Sequence, residues 1–195
     1  EPLVAKPFSP DNVVPLSQHQ GMPIHGAFIG ACTTTEEELV LGALVLEEAL
    51  RRGIVPTGSG RRLVVPGDLS IQGRLYEAGL LRVYEQAGFQ VDPPGCSMCL
   101  GVASQRAGKG ETWLSSQNRN YPNRMGEGSL AWLASGPAVA AAAIQMQVRD
   151  PRELLAGIDP DRYQRILRRS GHSLPTVTTS EPTVSISAGT GSAAH

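Results

Sequence analysis

The three cysteines are the residues of this chain whose type and spacing could do the most chemistry. Cys32 comes directly after a Gly-Ala turn at the end of one predicted strand. Cys96 and Cys99 form a Cys-x-x-Cys pair that comes directly after the Pro-Pro-Gly turn at the end of another predicted strand. In a parallel α/β sheet the turns at the carboxyl ends of the strands gather at one edge, so Cys32 can meet the pair there. Three thiolates make a soft metal site, and an iron-sulfur cluster is the group best matched to cysteine alone. A four-iron cluster would leave one iron open to bind a substrate oxygen as a Lewis acid.

Other interpretations of the cysteines stay open on spacing alone. Cys96 and Cys99 could form a redox-active dithiol, with one sulfur activated near the start of a helix. They could also supply half of a zinc site, with Cys32 and a histidine completing the four ligands. The histidines available are His19, His25, His172 and His195. Finally, the cysteines could be chemically inert.

A loop rich in amides and arginines is the second candidate site. The run 115–124 follows a predicted strand and contains Asn118, Arg119 and Arg124. Guanidinium groups are always charged and can bind a carboxylate with two parallel hydrogen bonds. Considered alone, such a run is best explained as a solvated surface loop. Beside a metal site at the same sheet edge, it indicates a pocket for a small polycarboxylate.

The elements that must position these residues alternate between strands and helices. The helix that starts at Glu36 is the clearest, because Thr35 and Glu38 have the spacing of a capping box and Gly53 ends the apolar repeat. Short apolar runs predict strands at 27–29, 63–65, 89–91, 113–116 and 130–134, with further helices at 70–79, 81–87 and 137–148. This alternation predicts an α/β fold, namely a three-layer Rossmann-like or flavodoxin-like domain with a mostly parallel sheet.

Composition shifts divide the chain into four segments. Residues 1–24 carry five prolines and are predicted to form an extended leading segment. Residues 25–150 are the α/β domain, and residues 151–169 are a charged helical appendage. The Ser- and Thr-rich residues 170–195 are predicted to be a disordered tail, because they have too few large apolar groups to offset the entropy of ordering.

Charge and hydrophobicity narrow the function classes. A formal charge of -1 over 195 residues provides no net electrostatic attraction to a polyanion, so no nucleic-acid partner is expected. No apolar run approaches the roughly 18 residues of a membrane span, and no membrane partner is expected. Three cysteines are too few for a disulfide-stabilised secreted domain, which favours the reducing interior of a cell. An intracellular location, in the cytoplasm or a mitochondrion, is therefore expected. Because the chain begins with Glu1 and has no signal segment, it is expected to be part of a larger protein.

Three motifs in a fixed order carry a resemblance to a known family. They are G-A-C-T at 30–33, P-G-C-S-M-C-L at 94–100 and N-R-N-Y-x-x-R at 118–124. In this order they closely resemble the aconitase superfamily, which comprises aconitase, homoaconitase and the large subunit of isopropylmalate isomerase. The resemblance extends over about residues 1–150 and is to the third, cluster-ligating domain of these proteins.

The resemblance implies an iron-sulfur-dependent hydro-lyase or isomerase that moves a hydroxyl group between adjacent carbons of a hydroxy di- or tricarboxylic acid. Cys32, Cys96 and Cys99 would be the ligands of a 4Fe-4S cluster. Asn118 would hydrogen-bond close to the cluster, and Arg119 and Arg124 would bind substrate carboxylates. The remaining domains, in the same parent chain or in a separate subunit, would carry further catalytic residues. No catalytic role is therefore assigned within this chain, and the chain alone is expected to be inactive.

The first motif departs from the family pattern. The family usually has Gly-Ser-Cys-Thr-Asn-Ser, whereas here Ala31 replaces the first serine and Thr34 and Thr35 replace Asn-Ser. The hydrogen bonds that these positions make to the cluster or the substrate are therefore expected to differ. The alternative function is a non-catalytic binding or regulatory module, or a zinc-binding domain, derived from the same fold. Retention of all three cysteines and both arginines favours the enzyme.

Overall fold

The computed structural model of the chain describes residues 1–100 and 105–167, so the tail predicted at 170–195 lies outside the described residues. Its centre is a seven-stranded sheet in the order β2-β1-β7-β6-β3-β4-β5. The strands are β1 (Leu3–Ala5), β2 (Val13–Pro15), β3 (Gly26–Gly30), β4 (Arg61–Val65), β5 (Gln90–Val91), β6 (Thr112–Ser115) and β7 (Leu130–Leu133). No described helix is both long and apolar enough to cross a bilayer.

Five neighbouring strands, β3 to β7, are parallel, and β1 pairs antiparallel with β2 and with β7. The prediction of an α/β fold with a mostly parallel sheet is confirmed. The chain runs outward from β3 to β4 and β5, and it then crosses back to β6 and β7 on the other side of β3. This order of parallel strands is Rossmann-like, and the reversal of direction makes a crevice between the carboxyl ends of β3 and β6.

The helices are α1 (Glu36–Arg51), α2 (Leu69–Glu77), α3 (Leu80–Gln86), α4 (Gly136–Gln145), α5 (Arg152–Leu155) and α6 (Pro160–Leu167), with 3-10 turns at Leu16–His19 and Ser97–Leu100. The predicted cap of α1 is confirmed, because the Thr35 side chain accepts a hydrogen bond from the Glu38 amide. Two helices, α5 and α6, occupy the segment predicted as a helical appendage.

Alternating residues of the strands divide the core between the two sheet faces. Ala27 and Ile29 on β3 belong to the larger core cluster, which includes the buried residues of α3 and most of those of α1 and α4. Phe28, between them, faces the opposite way and packs in a second cluster with Met98 and Met125. Among the described residues, this second layer is built from the connections that follow β5 and β6. Those connections also carry the predicted site residues.

The leading segment 1–24 contributes two strands to the sheet. Leu3 pairs with Pro15 across the β1-β2 ladder, and Ala5 pairs with Leu133 of β7. Prolines flank β1 and end β2 at the edge of the sheet, where a missing backbone donor leaves no ladder bond broken. The segment is therefore attached to the sheet of the domain, and it also contains the 3-10 turn at Leu16–His19.

Candidate functional site

The turn that follows β3 exposes Cys32. Gly30 has φ 137°, and a Cβ atom at that position would collide with the carbonyl oxygen of Val65 on the neighbouring strand. Ala31 has φ 67°, in the left-handed region that L-residues rarely adopt. These two residues turn the chain sharply at the end of the strand. Cys32 follows them as an exposed free thiol at the carboxyl edge of the sheet.

Two hydroxyl groups join this turn to the connection that follows β6. The Thr34 hydroxyl lies 2.7 Å from the carbonyl oxygen of Gly30 and 2.9 Å from the hydroxyl of Ser116. The Gly30 amide donates to Ser116 Oγ at 3.0 Å, which closes a ring of hydrogen bonds. Thr34 is only 3% exposed. The cysteine turn and the arginine loop are therefore fixed to each other across the crevice between β3 and β6.

The Cys-x-x-Cys pair lies in the connection that follows β5. The Cys99 amide donates to the carbonyl of Cys96 at 2.8 Å, within a turn in which Ser97 has φ 40°. Cys96 is exposed, whereas Cys99 is 5% exposed and packs in the second core cluster beside Met98. All three cysteines of the chain are free thiols. One sulfur of the pair thus faces the core and the other faces solvent.

Cys99 lies within electrostatic reach of the other two thiols and of Arg124. Burial raises the pKa of Cys99, the neighbouring Arg124 guanidinium lowers it, and the charges of Cys32 and Cys96 raise it further. No group of three or more His, Cys, Asp or Glu side chains within residues 1–100 and 105–167 is arranged to hold a single metal ion. A cluster makes a different demand, because each thiolate binds a different iron and the sulfurs need not converge on one point. The donor set of free cysteines fits such a cluster.

The histidines considered for a zinc site have other surroundings where they are described. The His19 ring stacks edge-on against Trp132, with 4.7 Å between the ring centroids. His25 Nδ1 accepts a hydrogen bond from the Thr112 amide at the start of β6, at the opposite edge of the sheet from the cysteines. His172 and His195 lie outside the described residues.

The arginine loop reaches the cysteine pair through Arg124. Its Nη2 lies 3.0 Å from Cys99 Sγ, and its Nη1 donates to the Tyr121 hydroxyl at 2.9 Å. The guanidinium carbon lies 5.3 Å from the centre of the Tyr121 ring, as in a cation-π contact. Asn118 and Arg119 are exposed on the same loop. The structure thus brings one of the two predicted carboxylate contacts, Arg124, directly to a predicted cluster ligand.

Two amide side chains beside the site were not singled out from the sequence. Asn120 is buried and donates from Nδ2 to the carbonyl of Lys6, which ties the loop to the leading segment. Gln117 is 4% exposed, and both of its amide atoms lack a hydrogen-bond partner among the described residues, as do Asn120 Oδ1 and Arg124 Nε. An unsatisfied buried polar group costs about 1–3 kcal/mol. Side chains two residues apart in a strand point to the same face, and Gln117 comes two residues after Ser115, the buried last residue of β6. This spacing is the sequence signal that could have identified Gln117.

The carboxyl edge of a Rossmann-like sheet thus carries three free cysteines and an arginine loop, and comparison with known proteins identifies the family of the chain. The model of the Aconitase family (aconitate hydratase) matches residues 16–146. This match covers more than half of the chain, and the chain therefore belongs to the aconitase family.

Relatives of the chain carry names from the same family. "Aconitase htyD" of Aspergillus rugulosus is 54% identical over 167 residues, which are 86% of this chain and 19% of the relative. "3-isopropylmalate dehydratase large subunit gloJ" of Glarea lozoyensis is 53% identical over 167 residues, again 86% of this chain and 19% of the relative. "3-isopropylmalate dehydratase large subunit 1" of Methanopyrus kandleri is 41% identical over 157 residues, 80% of this chain and 36% of the relative. The chain spans about a fifth of the length of the first two.

Proposed function

We propose that this chain is the cluster-holding part of an iron-sulfur-dependent hydro-lyase. In this proposal Cys32, Cys96 and Cys99 hold a 4Fe-4S cluster at the carboxyl edge of the sheet. The observation that carries the proposal is the 3.0 Å contact between Arg124 and Cys99, which joins the cysteine pair to the arginine loop at one end of the crevice. Names of relatives that are aconitases or 3-isopropylmalate dehydratases support a dehydration reaction.

The substrate in this proposal is a hydroxy di- or tricarboxylate that undergoes dehydration and rehydration. A bound cluster would supply an open iron that polarises the departing hydroxyl group. Arg119 and Arg124 would hold the substrate carboxylates through their guanidinium forks, and Asn118 would add a hydrogen bond beside the cluster. The proposed partners are the remaining aconitase-type domains, in the same parent chain or a separate subunit. Their presence is supported by the greater length of the relatives.

Anaerobic reconstitution of the chain with iron and sulfide tests this proposal. We expect about four irons and four sulfides per chain, and a sharp fall in both when Cys32, Cys96 or Cys99 is replaced by serine. Tyr76→Phe is the matched control, because Tyr76 is exposed on α2 and far from the cysteine turns in the sequence. A Cys99→Ser chain with the iron and sulfide content of the unaltered chain would contradict the ligand assignment. Tightly held zinc with no iron after reconstitution would favour a zinc-binding module instead.

A further inference from the structure

Arg124 is a half-buried cation whose hydrogen bonds go to sulfur and to a phenol. In the part of the chain that the structure describes, its side-chain contacts are Cys99 Sγ, the Tyr121 hydroxyl and the Tyr121 ring, and no carboxylate forms an ion pair with it. Its Nε is buried without a hydrogen-bond partner. Transferring a charged group from water to the protein interior costs free energy unless an opposite charge lies beside it. The position of Arg124 therefore calls for an anion beside Cys99.

We infer that Arg124 tunes the cluster by donating a charged N–H···S hydrogen bond to the sulfur of Cys99. This inference rests on the proposed function, because Cys99 becomes an anionic thiolate only as a cluster ligand in that scheme. It gives Arg124 a task beyond the carboxylate contact assigned above. Hydrogen bonds to ligand sulfurs and the local net charge are among the factors that set the reduction potential of an iron-sulfur cluster. A guanidinium at this sulfur raises the potential and slows the loss of iron.

Tyr121 is the positioning residue for this interaction. Its hydroxyl accepts from Nη1 at 2.9 Å, and its ring lies 5.3 Å from the guanidinium carbon, so one side chain restrains both the edge and the face of the guanidinium. Nη2 is then directed at Cys99. Because a guanidinium carries five N–H donors, the Nη1 and Nη2 protons that are not directed at Tyr121 or Cys99 stay available for a substrate carboxylate. The two tasks of Arg124 do not compete.

A redox titration of the reconstituted chain, followed by electron paramagnetic resonance, tests the tuning role. We expect Arg124→Met to lower the midpoint potential and to speed cluster loss in air several-fold, and Tyr121→Phe to cause a smaller change in the same direction. Arg82→Met is the control, because it removes an equal charge from an exposed position on α3. An unchanged potential in Arg124→Met would overturn the inference, and so would an equal shift in Arg82→Met.

Nuclear magnetic resonance of the cluster-free chain labelled with 15N-arginine separates this inference from the proposed function. We expect slow rotation and slow proton exchange for the Arg124 guanidinium, and faster motion after Cys99→Ala or Tyr121→Phe. A freely rotating Arg124 guanidinium in the unaltered chain overturns the inference even if a cluster forms. A restrained guanidinium in a chain that takes up no iron instead overturns the proposed function, and the inference then fails with it.

Discussion

Thr34 differs from the residue usual in the family, yet its side chain still links two parts of the candidate site. The family resemblance places an asparagine at this position, so the sequence alone predicts a change in hydrogen bonding. The threonine hydroxyl is buried and bonds both the Gly30 carbonyl and the Ser116 hydroxyl. A shorter side chain thus still links the turn of Cys32 to the loop of Arg119. The sequence could reveal the replacement but not this link, because Ser116 lies 82 residues away.

Replacing Thr34 with valine should loosen this link without changing the shape of the side chain. The variant leaves buried acceptors at Gly30 and Ser116 with fewer donors, so we expect the free energy of unfolding to fall by about 1–3 kcal/mol. Urea denaturation followed by circular dichroism measures the change. Thr34→Ser keeps the hydroxyl and should recover most of the lost stability. A Thr34→Val chain as stable as the unaltered one would show that the hydroxyl ring contributes nothing.

At the scale of elements, local patterns predicted most of the parallel sheet but not its edge. β3, β4 and α1 follow from short apolar runs, glycine turns and a capping box, all of which are local signals. β1 and β2 have three residues each, and β1 joins the sheet through a single pairing of Ala5 with Leu133, a residue far along the chain. Such a contact leaves no periodic trace in a proline-rich segment. The order of the strands has the same origin in non-local packing.

The end of α1 is fastened to the segment that follows α4. Glu48 accepts hydrogen bonds from Arg51 and Arg52, each at 2.7 Å from the guanidinium Nε. Arg52 also donates to the Glu153 carboxylate at 3.0 Å, next to the buried Leu154. The hydrogen bonds from the two arginines lower the pKa of Glu48 to about 2. One carboxylate thus orders the arginine that holds α5 in place.

Glu48 should make the stability of the fold depend on pH under acidic conditions. Its pKa of about 2 in the folded chain lies below the value of about 4.3 expected in the unfolded chain, so the unfolded chain binds the proton more readily. Its stabilising contribution is complete above about pH 4.3 and is lost as the pH falls towards 2. In urea titrations at several pH values, Glu48→Gln should show a weaker fall in unfolding free energy over this range than the unaltered chain. The exposed Glu85, replaced by Gln, serves as the control, and identical pH profiles for Glu48→Gln and the unaltered chain would contradict the assignment.

At the scale of the whole molecule, the candidate site is an open edge. Cys32, Cys96 and Arg119 are exposed, while Cys99 and the partly buried Arg124 form its floor. The sequence predicted which residues belong to this edge, because strand ends in a parallel sheet must meet there. It could not predict that Arg124 would contact Cys99, because that pairing depends on how two irregular connections pack on the second sheet face. An edge this open needs cover before it can exclude water from a reacting substrate.

The isolated chain should therefore show no turnover even when it carries a cluster. It spans about a fifth of the relatives named as an aconitase and a dehydratase, and it has no residue to which we assign acid-base catalysis. We expect hydration of an unsaturated di- or tricarboxylate by the anaerobically reconstituted chain to stay at the level of a Cys99→Ser chain, with absorbance of the double bond as the measurement. A longer chain that carries the remaining domains proposed above, reconstituted in the same way, should consume the substrate, and its Cys99→Ser variant should not. Turnover by the pure chain above its Cys99→Ser control would mean that the residues described here suffice for catalysis, and the role proposed for the remaining domains would have to be abandoned.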